Sequence, residues 1–132
     1  MAEPFSLKGM QFQGKVSRVV DGDTMRIVFS ICEHFGPREF NCRIMHIDTP
    51  EMRKHGQLAQ MAKEAAYNFV WDKPVTVVCD TFDNFGRLLC EVKVDSLDLA
   101  DHLVELRLAK RYEGKHKKSF DDLFEYHGIM QR

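Results

Sequence analysis

Apolar and polar residues alternate over much of the first third of the chain. Met25, Ile27, Phe29 and Ile31 interleave with Thr24, Arg26 and Ser30, the period-two signature of a strand with one buried face. Ahead of them, Phe12, Val16 and Val19 belong to a strand-like run that ends at Val20, and Asp21-Gly22 supplies a tight hairpin turn. Glu33 to Arg38 contains Gly36-Pro37 and predicts a loop. Phe40 to Ile47 predicts a third strand, stopped at Asp48-Thr49-Pro50 because proline has no N–H for a ladder.

The period then changes. Leu58, Met61, Ala62, Ala65 and Phe69 recur at helical spacing in an alanine-rich stretch that closes before Asp72-Lys73-Pro74. Val75 to Asp80 predicts strand four, Thr81 to Gly86 a turn, and the alternation of Leu88, Cys90, Val92 and Val94 strand five. A second helix is predicted from Leu97 to Lys110 with Ser96 as its N-cap, and a shorter amphipathic piece from Phe120 to His127. Three strands, a helix, two strands and a helix is the order expected of an α+β fold built on a small five-stranded β-barrel of the OB type.

Composition narrows the class. A chain of 132 residues with 44% apolar content holds one core and predicts a single domain over 1–132. Within it, 1–9 reads as a mobile polar start, 10–112 as barrel and helices, and 113–132 as a basic segment with a short terminal helix. No window approaches the roughly 18 continuous apolar residues of a membrane span. The start lacks the basic and apolar regions of a signal peptide, so a cytoplasmic chain is expected, or a secreted one if a signal has been removed. Nothing points to an obligate protein partner, and a monomer is expected. Cys32, Cys42, Cys79 and Cys90 show no C-x-x-C pair and read as small core residues rather than zinc ligands. The net charge is −1, which excludes nucleic-acid binding by global charge. Charge is nonetheless uneven: from Arg107 to Lys118, six Lys or Arg face one acid, either a solvated face or a phosphate-contacting edge.

Candidate chemistry sits at strand ends. Asp23 follows the Asp21-Gly22 turn, and Asp48 and Glu51 flank Thr49-Pro50. Alone, each acidic tetrapeptide is good turn chemistry; together with a backbone carbonyl they are the oxygen-only donors that a hard cation such as Ca²⁺ accepts. Arg43 lies in the third strand and Arg87 starts the fifth, and guanidinium groups match phosphate with two parallel hydrogen bonds. Acids, a cation and two arginines suffice for phosphodiester cleavage. Simple strand parity puts Arg43 and Asp48 on opposite faces, so their convergence requires a twist or bulge. His46 reads as a core or barrel residue rather than a catalytic base, Tyr67, Phe69 and Trp71 as core or helix-end packing, and Lys54 and His55 as a solvated loop, with substrate contact as the alternative for that pair.

Three blocks, Gly14 to Thr24, Arg43 to Glu51, and Asp83-Asn84-Phe85-Gly86-Arg87, resemble the signature segments of the staphylococcal nuclease (thermonuclease-like) family. Gly56 to Val70 resembles its first helix and Leu103 to Ala109 its second, with Arg107 where the family usually has glycine. The resemblance implies that Asp23 and Asp48 hold Ca²⁺, joined by the Thr49 carbonyl, with Asp21 supporting the metal from behind. Glu51 is then the general base, while Arg43 and Arg87 bind the phosphate and stabilise its transition state. Phe85, Tyr112, Lys110 and Arg111 become possible substrate contacts. The implied activity is calcium-dependent hydrolysis of DNA or RNA to 3′-phosphate and 5′-hydroxyl ends. Phe85 replaces a common tyrosine, Tyr112 is shifted from the family's tyrosines, and the loop from Asp23 to Arg43 is longer than in the staphylococcal enzyme. The alternative is a weak or inactive OB-fold nucleic-acid-binding module. It is disfavoured because Asp23, Asp48, Glu51 and Arg87 are all present, and a purely structural role would make every one of them a coincidence.

Overall fold

A computed structural model describes residues 2–112 and 119–131. Five strands close into a barrel: β1 (Gln11–Asp21), β2 (Thr24–Phe29), β3 (Arg38–Ile44), β5 (Pro74–Phe82) and β6 (Leu88–Val94). The sheet runs β3-β2-β1-β5-β6, and β3 pairs in parallel with β6 to shut it. Two short strands, β4 (Ile47–Asp48) and β8 (Lys110–Arg111), form a separate ladder, and β7 (Leu97–Asp98) adds to β6. Helix α1 (Met52–Val70) joins β4 to β5; α2 (Leu99–Glu105) and α3 (Asp121–His127) complete the α+β architecture.

The alternation has its expected effect. Met25, Ile27, Leu88, Cys90 and Val92 are fully buried inside the barrel, where Ile44, Val75 and Val77 meet them. Each such aliphatic side chain contributes roughly 1.5–3 kcal/mol by leaving water. Phe12, Phe29 and Phe40 stack in series, with centroids 5.0 and 4.2 Å apart. A second, smaller core joins Leu58 and Ala62 of α1 to Leu108, Phe120, Leu123 and Phe124, so α3 is fixed against the start of α1.

Several expectations change in three dimensions. The third strand is interrupted: β3 stops at Ile44, Met45 and His46 form a turn with His46 at φ 73°, and β4 restarts at Ile47. His46 is therefore exposed, not a core residue, and its ring lies 3.7 Å from Glu91. The second helix starts two residues late and ends five early. Asp95 and Ser96 occupy a left-handed turn (φ 51° and 69°) between β6 and β7, and the cap is Asp98, which accepts the Asp101 N–H. Leu7 is buried in the main core and the Gly9 N–H donates to the Cys79 carbonyl, so the start expected to be loose is pinned from Leu7 onward. Cys42, Cys79 and Cys90 are buried thiols as read, whereas Cys32 is exposed. Burial, followed by the neighbouring Cys42, pushes the Cys79 thiol up to about 11. Lys54 and His55 belong to α1 rather than to a loop. No helix of the described residues is long and apolar enough to cross a membrane.

Candidate active site

The β1–β2 turn, the β3–β4 turn, the start of α1 and the β5–β6 turn all open on one cavity of ≈ 860 Å³. Asp21, Asp23, Arg43, Asp48, Glu51, Phe85, Arg87 and Tyr112 line it, together with His46 and Asp83. Four separate chain segments thus supply the acid–arginine set predicted from sequence.

Each segment is aimed by local backbone chemistry. Strand β1 shifts register between Val19 and Asp21, a bulge-like irregularity beside the Asp21–Thr24 pair. Gly22 allows the turn to lie close: a Cβ there would stand 3.1 Å from Thr49 Cγ2 and 3.2 Å from the Ala62 Cβ. The left-handed residue at His46 resets the strand parity that separated Arg43 from Asp48. The β5–β6 turn is built around Asp83, whose carboxylate accepts the N–H groups of Phe85 and Arg87, both at 2.9 Å, and Arg87 Nε at 2.8 Å. Gly86 supplies the φ of 80° that this turn needs.

Arg43 is the centre of the arrangement. Its two terminal nitrogens lie 3.3 Å from Asp23 Oδ2 and 3.6 Å from Asp48 Oδ1, and one also donates to the Ile44 carbonyl at 2.6 Å. The side chains of all three residues are at most 13% exposed, so their charges are weakly screened. Asp23 further accepts the Thr49 N–H and the Thr24 hydroxyl. At the cavity mouth Glu51 precedes α1, its N–H donates to His55 Nδ1 at 2.8 Å, and Lys54 Nζ stands 3.4 Å from its carboxylate. Phe85 is exposed, with the Arg87 guanidinium 5.5 Å from its ring centre.

Five acids and two arginines line the cavity. Burial first, then the negative charges of Asp23 and Glu51, pushes Asp21 above the ordinary carboxylate range, against the Met52 N–H and the Lys63 ammonium. Asp83 goes the other way: partial burial raises it, but the hydrogen bonds from Arg87 and Phe85 outweigh burial and hold it below that range.

The sequence model of the staphylococcal nuclease homologue family matches residues 41–128. The chain belongs to this family. The matched span takes in Arg43, Asp48, Glu51 and Arg87, whereas Asp21 and Asp23 precede it. They reach the family's span through the sheet, where Thr24 pairs with Arg43 and the Ile44 N–H donates to the Asp23 carbonyl. No curated protein matches the chain.

Not every expected residue is brought in. Thr49 is buried behind the cavity, with its hydroxyl unpartnered. Lys110 does not line the cavity; its Nζ is 2.9 Å from Asp122 and 3.1 Å from the Ser119 carbonyl. Arg111 is likewise turned away, 2.6 Å from Asp101. Residues 115–118 of the basic run lie outside the described residues. The sequence by itself gives Asp83 no role and leaves His55 as a loop residue or a substrate contact. The spacing Asp-x-x-Gly-Arg signals the first, because one aspartate can close a turn on the arginine four residues later.

Among the described residues no three His, Cys, Asp or Glu side chains group closely enough to cage a metal by themselves. The donors are Asp23 and Asp48, which meet across one guanidinium. Such a pair, completed by a backbone carbonyl and water, suits a hard cation and not zinc. The donor types are those that a hard cation such as calcium takes.

Proposed function

We propose that this chain is a calcium-dependent phosphodiesterase that hydrolyses DNA or RNA to 3′-phosphate and 5′-hydroxyl ends. The observation that carries this reading is Arg43 held between Asp23 and Asp48 in the cavity that also receives Glu51 and Arg87. The acid excess there repels a phosphodiester, so a polyanionic substrate requires a bound cation. Asp23 and Asp48 would hold Ca²⁺, with the Thr49 carbonyl and Asp21 in support as the resemblance implies; the ion would neutralise phosphate charge and polarise phosphorus.

The chain's own residues do the rest. Arg43 and Arg87 offer paired N–H donors to the non-bridging phosphate oxygens, and their grip tightens as negative charge grows in the transition state. Asp83 keeps Arg87 aimed, and Arg43 leaves its carboxylate partners to face the phosphate. Glu51 accepts a proton from the attacking water, in line with the leaving 5′-oxygen. The P–O5′ bond breaks and the 5′-oxygen takes up a proton. Phe85 and Tyr112 offer ring faces to a base beside the scissile bond.

Incubation of the purified protein with plasmid and with single-stranded DNA, in calcium or in chelator, tests the reading. Calcium-dependent degradation that is lost in Arg87→Ala supports it. Retarded bands without cutting select the binding module instead.

A further inference from the structure

A second groove, of ≈ 360 Å³, lies between β1 and α1. Tyr67 and Trp71, one helical turn apart, stack along it with centroids 5.0 Å apart and planes inclined by 16°. Trp71 is 42% exposed, against the expectation of a packed helix end. Arg18 on β1 and Lys63 on α1 line the same groove. Among the described residues neither is held in an ion pair, in contrast to Lys110 and Arg111. Glu64 also lines the groove, with its carboxylate accepting Gln60 Nε2 at 3.0 Å.

The groove runs toward the candidate active site. Arg18 precedes Asp21 on the same strand by about 10 Å. From Lys63 to Val70, the last residue of α1, the helix rises about 10 Å, and Trp71 follows directly. That length matches a few nucleotides of a single strand. Duplex bases are stacked on each other and unavailable to a ring face, whereas unpaired bases stack on aromatic side chains whatever their sequence.

We propose that this groove is a distal subsite for single-stranded nucleic acid, in which a base stacks on the Tyr67–Trp71 pair and backbone phosphates meet Arg18 and Lys63. It supplies affinity that a chain of net charge −1 does not obtain from its overall field. The inference rests on the nuclease reading only for which strand is bound, since stacking needs neither calcium nor cleavage.

Trp71 is the sole tryptophan, so its fluorescence reports the groove directly. The full chain is titrated in chelator with oligothymidylate of about ten nucleotides and with a dinucleotide, and binding is followed in parallel by anisotropy of labelled strands. The longer strand quenches Trp71 as it binds and the dinucleotide does not. Trp71→Ala weakens the longer strand about tenfold and Trp71→Phe keeps most of the affinity. Arg18→Ala with Lys63→Ala flattens the salt dependence by about one to two phosphate contacts. Unchanged emission at saturation, or wild-type binding by Trp71→Ala, overturns the proposal. A chain that cuts plasmid while Trp71 stays silent rejects the groove alone. One that binds and quenches without ever cutting rejects the nuclease reading alone.

Discussion

Thr49 donates its backbone N–H to Oδ2 of Asp23 across 3.1 Å, tying the end of β4 to the β1–β2 turn. The same oxygen faces Arg43 at 3.3 Å, so one carboxylate registers two loops and one cation. An amide at this position keeps an acceptor for Thr49 but lowers the ligand charge. Asp23→Asn is therefore expected to fold, with calcium affinity reduced roughly tenfold or more. Isothermal titration calorimetry measures this; undiminished affinity removes Asp23 from the metal site.

Arg43 neutralises Asp23 and Asp48, and under the proposed function it also binds the phosphate. Arg43→Ala should lower kcat/KM by about 100-fold or more. Without the guanidinium the two carboxylates also repel, so calcium should raise the melting temperature of this variant by more than that of wild type. Arg43→Lys recovers little activity, because one ammonium does not reproduce the planar fork. Kinetics and calcium-dependent melting curves check both halves.

Asp21 is held above its ordinary range chiefly by burial, with Asp23 and Glu51 adding repulsion. A raised folded-state carboxylate favours the fold below the unfolded value, near 3.9, and that benefit is lost as pH rises through the folded value. Asp21→Asn removes the penalty, so it should melt above wild type near neutral pH, with the gap shrinking as pH falls toward the unfolded value. A gap independent of pH would contradict this cause.

His55 accepts the Glu51 N–H at 2.8 Å while its ring meets Phe120 edge-on at 5.0 Å. It holds the residue before α1 in place and does not line the candidate cavity. His55→Ala should lower kcat with little change in KM, and His55→Asn should restore part of the loss through its amide oxygen. A change confined to KM would place His55 at the substrate instead.

Arg107, two residues past the end of α2, has φ 60°, a backbone region that favours glycine. The left-handed backbone costs a non-glycine residue about 1–2 kcal/mol, partly offset by the guanidinium over Tyr126 at 5.2 Å. Arg107→Gly should stabilise the fold by up to about 1 kcal/mol, read from urea unfolding midpoints at unchanged slope.

The alternation from Met25 to Ile31 and from Leu88 to Val94 made the barrel strands readable, because a half-buried strand must repeat every second residue. Likewise Leu58, Met61, Ala62 and Ala65 marked α1. Breaks that depend on single backbone angles were not readable: His46 and Ser96 both adopt positive φ without being glycine. Each one moved an element boundary.

The residue types of the site were likewise fixed by the chain alone. Asp23, Arg43, Asp48, Glu51 and Arg87 are recognisable in the chain, since the proposed cation and phosphate would call for these groups. Only the tertiary structure decided which of them meet. The turn at His46 swung Asp48 round to Arg43, and Gly22 let Asp23 approach Thr49. It also sent Lys110 and Arg111 to Asp122 and Asp101 and left Trp71 in an open groove. Spacing along a strand sets which face a side chain takes, but whether two faces meet depends on how the barrel closes, through contacts between residues far apart in the chain.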